Sequence, residues 1–100
     1  MKTIIWDGRH GLVFPEGRVR EEAPTLVEVL NSVGVVYIGQ HTLFNELRLA
    51  VKRGEVDGPV QLQLGNGCPI PIDRNGTLKY WPSADGFDLV DAQLNELIGL

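Results

Sequence analysis

One aspartate and two histidines stand where an α/β chain could put them to chemical use. Asp7 ends a short β-branched and aromatic run, Thr3-Ile4-Ile5-Trp6, and His10 follows in a glycine-flanked loop. His41 lies in a polar corner, Gln40-His41-Thr42, after a second apolar run. A carboxylate and imidazoles brought together can ligate a metal or act as an acid/base pair. Their spacing matches no metal-ligand signature, and each has a plainer reading. Asp-Gly is a common turn, and a histidine can simply begin a helix. Cys68, between Gly67 and Pro69, has no His or basic neighbour to activate it and reads as a bystander. Arg48, Lys52 and Arg53 form a basic cluster, either a solvated helix face or a contact for an acidic partner. Tyr80, Trp81 and Phe87 either plug a ribbon onto a sheet or present an aromatic patch to a partner protein.

The elements that must position these residues follow from periodicity. Thr25 with Glu28 three residues on is a capping-box pattern, led in by Ala23-Pro24, with Leu26, Val29, Leu30 and Val33 on one helical face. Val33 to Gly39 is apolar and β-branched, the pattern of a strand covered on both faces. Thr42 is the expected N-cap of a helix from Leu43 to Arg53, which buries Leu43, Leu47, Ala50 and Val51 and stops at Gly54. Val60-Gln61-Leu62-Gln63-Leu64 alternates as a half-buried strand, and Gly65-Asn66-Gly67 turns the chain. The prolines of Pro69-Ile70-Pro71-Ile72 confine that segment to a sheet edge. Asp73-Arg74-Asn75-Gly76 then turns it into Thr77-Leu78-Lys79-Tyr80-Trp81, completing an edge hairpin. Leu12-Val13-Phe14 could add a short strand, and Asp88 begins a last helix bearing Leu89, Val90, Leu94, Leu97 and Ile98. The expected fold is one α/β domain over residues 1–100. It has a small, mainly parallel sheet, right-handed crossover helices, an edge ribbon and a C-terminal helix.

The net charge of -4 argues against nucleic-acid binding, which needs a basic field. Asp85, Asp88, Asp91 and Glu96 concentrate the excess near the end of the chain, with no Lys or Arg among them. A lone cysteine, no signal-peptide pattern and no apolar run of membrane-spanning length suggest a cytoplasmic protein without a membrane partner.

The run from Val35 to Gly54 resembles the last nucleotide-site segment of ABC/SMC-like predicted ATPases. In that family an apolar strand ends in Thr-His-Ser or similar, and a helix with Leu-x-x-Leu-Arg follows. The resemblance puts His41 at the switch histidine that bonds the γ-phosphate. The tail is similar to the closing ribbon of a subset of that family: Ile70-Pro71-Ile72-Asp73-Arg74-Asn75-Gly76, then Trp81-Pro82 and Gly86-Phe87-Asp88. Thr3 to Asp7, with Leu12 and Pro15 after it, resembles a Walker B strand and its following His-Pro. The departures bear on mechanism. Gly8 or Arg9 stands where the family has its water-activating acid, and none of the twelve glycines is followed by Lys. The phosphate cradle of a P-loop is therefore missing, and so is a Ser-Gly-Gly signature.

The resemblance implies a non-catalytic relative with no cofactor and no metal. Asp7 and His41 would be a relic nucleotide site, and the protein would work by contact with a partner protein or a second copy of itself. Tyr80, Trp81, Phe87, Arg48 and Lys52 are the expected contact residues. Two other readings are a small ligand-binding protein or enzyme using Asp7, His10 and His41, and a mobile-element or phage-type accessory protein that binds a host factor.

Overall fold

The computed structural model describes residues 1–64 and 68–79. Tyr80, Trp81, Phe87, the Gly65–Gly67 turn and the expected last helix lie outside the described residues. Strand β1 is Lys2–Trp6, and a 3-10 turn at Glu16–Arg18 leads into helix α1, Val19–Val33. Strand β2 is Val35–Ile38, helix α2 is His41–Lys52, β3 is Val60–Leu64 and β4 is Ile70–Ile72. The sheet order is β2-β1-β3-β4. Strand β1 runs parallel to both neighbours, with Ile4 opposite Val36 and Leu62, and β4 pairs antiparallel with β3. The fold is therefore the expected small α/β arrangement with a mainly parallel sheet.

One sheet face is dry. Ile4, Val36, Ile38, Val60, Leu62, Ile70 and Ile72 are buried on it, and the register places them on one side because side chains alternate along a strand. Helix α1 contributes Val19, Ala23, Leu26, Val27 and Leu30, and α2 contributes Leu43, Phe44, Leu47, Ala50 and Val51. The two helices pack on each other, so they share this face. The first crossover steps from β1 to β2; the second steps back past β1 to β3. Two parallel crossovers that step in opposite directions over one face have opposite hands, so one of them departs from the usual right-handed rule. On the opposite face Thr3, Ile5, Val35, Gln61 and Gln63 are half-buried and Tyr37 is exposed. Strand β2 is thus covered on one side only among the described residues, not on both as its composition suggests.

Helix α1 begins six residues before the capping-box pattern at Thr25 and runs through Pro24. Proline removes the N–H that would donate to the Arg20 carbonyl, which is costly inside a helix. The apolar stripe explains the outcome. It extends back from Leu26 through Ala23 to Val19, and full burial of one valine is worth about 1.5–3 kcal/mol. Gly34 is a cap rather than a strand residue: its φ is 90° and its N–H donates to the Leu30 carbonyl at 3.0 Å. Gly54, at φ 77°, follows α2 as expected.

Candidate functional site

The carboxyl ends of β1 and β3 open into a crevice of about 870 Å³ against the start of α2. Its lining includes Trp6, Asp7, Arg9, Gln40, His41 and Leu64. Open α/β sheets commonly form ligand crevices outside the carboxyl ends of their strands.

Asp7 is committed to its own turn. Its Oδ1 accepts the N–H of His10 and of Arg9, each at 3.0 Å. These two bonds, that of His10 first, hold the carboxyl below the usual carboxylate range, and the nearby His10 charge adds to them. His10 Nδ1 lies 3.5 Å from Asp7 Oδ2 on the exposed outer side of the turn. The structure therefore pairs Asp7 with His10 and places Asp7 and His41 in one crevice. Among the described residues no group of three or more His, Cys, Asp or Glu side chains is arranged to hold a metal.

His41 is the first residue of α2, not a loop residue before it. Its ring lies on that of Trp6, centroid to centroid 4.6 Å at a 39° tilt. Its Nδ1 is shut off from solvent, and burial pushes the imidazole pKa down, which favours the neutral ring at pH 7. Thr42 is not the N-cap: Gln40 holds that place with extended backbone. The Gln40 amide does not cap the helix either. It accepts the Phe14 N–H at 3.0 Å, donates to the Phe14 carbonyl at 2.8 Å and reaches Glu16 at 3.0 Å. This clamp fastens the segment after β1 across the end of β2. Gly39 permits the crossing, since a Cβ there would sit 2.7 Å from the Asp7 carbonyl oxygen. Gly11 does the same against the Ile38 backbone.

Arg48 belongs to the core and not to the exposed basic face expected from its spacing with Lys52. It is fully buried; its Nε donates to the Gly76 carbonyl at 2.7 Å, and its Nη1 reaches Asn45 Oδ1 at 3.5 Å. Its guanidinium lies 5.8 Å from the centre of the Phe44 ring. The sequence signal was Phe44-Arg48-Val51, a row at helical spacing that widens the apolar stripe. Lys52 and Arg53 are exposed. Cys68 is exposed as a free thiol. Trp6, Arg9, Gln40 and Leu64 were not anticipated as crevice residues; only the position of Trp6 beside Asp7 pointed there.

A second surface lies along β2. Thr3 N–H donates to the Gly34 carbonyl and Asp7 N–H to that of Ile38, which turns the backbone groups of Val35 and Tyr37 away from β1. Leu12 covers only the far end, through Leu12 N–H to Tyr37 O and Gly39 N–H to Leu12 O, both at 3.0 Å. The expected strand Leu12-Val13-Phe14 is reduced to this single parallel bridge. Large apolar side chains follow the margin: Val33 is 69% exposed, Val13 60%, Tyr37 54% and Leu12 45%.

Compared with protein-family models, curated proteins and solved structures, the chain matches none. Among the described residues no helix is long and apolar enough to cross a membrane.

Proposed function

We propose that this chain is a non-catalytic protein that works by protein–protein contact, and that β2 is the contact element, pairing with β2 of a second copy. The observation that carries the reading is that, among the described residues, the N–H and carbonyl of Val35 and the N–H of Tyr37 have no strand beside them, beneath an exposed apolar margin. Natural edge strands are usually blunted by charge, proline or cover. Here the edge presents valine and tyrosine. A strand edge offers donors and acceptors alike, so two copies related by a twofold axis can satisfy each other.

The state of the crevice residues supports the non-catalytic half of the reading. Asp7 spends Oδ1 on its own turn, and the His41 ring is packed against that of Trp6. Adjacent parallel β1 and β2 are a requirement of kinship with ABC/SMC-like ATPases, and many α/β sheets share that pairing. Kinship therefore stays a proposal resting on the residue patterns, and so does the view of Asp7 and His41 as a relic site.

Light scattering tests the contact. The expected result is a concentration-dependent dimer that Tyr37→Lys or Val13→Lys returns to monomer with the circular dichroism unchanged. A wild-type monomer throughout the accessible concentration range overturns the second-copy reading. With Mg²⁺ and ATP we expect neither turnover nor saturable binding, and measurable turnover lost in His41→Ala would overturn the non-catalytic reading.

A further inference from the structure

Asparagine followed by glycine is the pair in which the next backbone nitrogen most readily attacks the side-chain amide, because glycine has no Cβ to hinder it. The chain holds two such pairs, and Asn75-Gly76 is the one that lies among the described residues. We propose that Asn75 is a deamidation site that the folded corner keeps shut, so that conversion there records an opening of the turn after β4. The Asn75 side chain is exposed, but the nitrogen that must attack it is buried and engaged. Gly76 N–H donates to the Asp73 carbonyl at 2.9 Å. That bond closes a four-residue turn, in whose common types the third residue, here Asn75, has ψ of about 0°. Ring closure swings the Gly76 nitrogen about the Asn75 Cα–C bond toward Cγ and breaks the bond to Asp73. The corner resists the swing from both sides. Asp73 Oδ1 accepts the N–H of Asn75 and of Thr77, and Asp73 N–H donates to the Thr77 carbonyl. Behind the turn, Arg48 Nε donates to the Gly76 carbonyl at 2.7 Å. Cyclisation therefore requires the corner to open, and its rate follows the open fraction.

In the opened chain the Gly76 nitrogen gives up its proton to a base and bonds to Asn75 Cγ. The Cγ–Nδ2 bond breaks, and Nδ2 takes a proton from water and leaves as ammonia. Water then opens the five-membered imide at one of its two carbonyls. One product has aspartate at position 75 on the ordinary backbone. The other carries the main chain through Cβ and Cγ and is longer by one carbon. The longer chain cannot return Gly76 to its seat, where even a Cβ would overlap the Arg48 carbonyl oxygen. For that product the opening is one-way.

The test is peptide mapping of the intact chain aged at mildly alkaline pH, with and without urea. Folded, Asn75 should convert at least about tenfold more slowly than in urea, the factor for an opening that breaks one charge-assisted hydrogen bond. Asp73→Ala should speed the folded conversion about fivefold, as for loss of one capping side chain, and leave the rate in urea unchanged. Val29→Ala, a truncation against the core on α1, should not speed it. Of the two products recovered from urea and refolded, the isoaspartyl chain should unfold at a lower urea concentration than the aspartyl chain. Four results overturn the proposal: Asn75 converting as fast folded as in urea, Asp73→Ala failing to speed it, Val29→Ala speeding it equally, or the two products unfolding together.

Discussion

Two turns in this molecule use an aspartate in nearly the same way and end in different situations. Asp7 Oδ1 accepts the N–H groups of Arg9 and His10, and Asp73 Oδ1 accepts those of Asn75 and Thr77 at 2.9 and 3.1 Å. The Asp73 turn is then bolted to the core. Gly76 takes φ 79°, its missing Cβ leaves room for the Arg48 backbone, and its carbonyl receives the buried Arg48 guanidinium. The Asp7 turn stands at the mouth of an open crevice with an exposed His10 beside it. The chemistry of an Asp-led turn is therefore the same in a structural corner and in a candidate site. What separates them is what lies behind the turn, a helix in one case and a crevice in the other.

The comparison can be broken at its fastened end. Arg48→Ala should cost about 3 kcal/mol, since a charged hydrogen bond is lost and a cavity opens beside Phe44. Arg48→Met should cost less, because it refills the volume, although the Gly76 carbonyl and Asn45 Oδ1 lose their donor. Urea unfolding measures both, and equal losses would show that filling the volume matters little. Gly76→Ala should cost about 2 kcal/mol, from left-handed backbone strain and the collision with the Arg48 backbone. Asp73→Ala should cost about 1 kcal/mol, as for loss of a capping side chain. Asp7→Ala should fall below Asp73→Ala, because its turn is open to water. A larger loss at Asp7 than at Asp73 would reverse the contrast.

The smallest expected effect is on pH dependence, and it belongs to the open end. The His41 pKa is lower folded than unfolded, so the unfolded chain takes up the proton first. Stability from this group is full above about pH 6.5 and declines as pH falls through the lower folded value. His41→Gln should flatten that stretch of the unfolding profile. Asp7 has a depressed pKa too, so its contribution is present above its unfolded value of 3.8 and lost only in stronger acid. A pH slope just below 6.5 that survives His41→Gln would assign it elsewhere.

Much of this arrangement was legible in the sequence, for local reasons. The alternation of Val60 to Leu64, the buried face of α2, the stop at Gly54 and the Asp73 turn each rest on a short periodic or turn signal, and each stands in the fold. The hairpin is visible as far as the bridge from Ile72 to Leu78. The misreadings arose where a distant contact outweighed a local preference. Burial of Val19 and Ala23 carries α1 through Pro24, Gln40 gives up capping to clamp Phe14, and a hydrogen bond to a remote turn takes Arg48 into the core. The site was half legible. Asp7 and His41 were found by type, but the crevice depends on Trp6 and Leu64, which only strand register brings together.

The central claim, that the β2 edge pairs with its twin, is tested most directly by amide hydrogen exchange at Val35 and Tyr37 as a function of protein concentration. Both N–H groups point away from β1. The account expects their protection to rise steeply with concentration in the wild type and to stay low at every concentration in Val13→Lys. Protection that is the same in dilute and concentrated wild-type samples would contradict it.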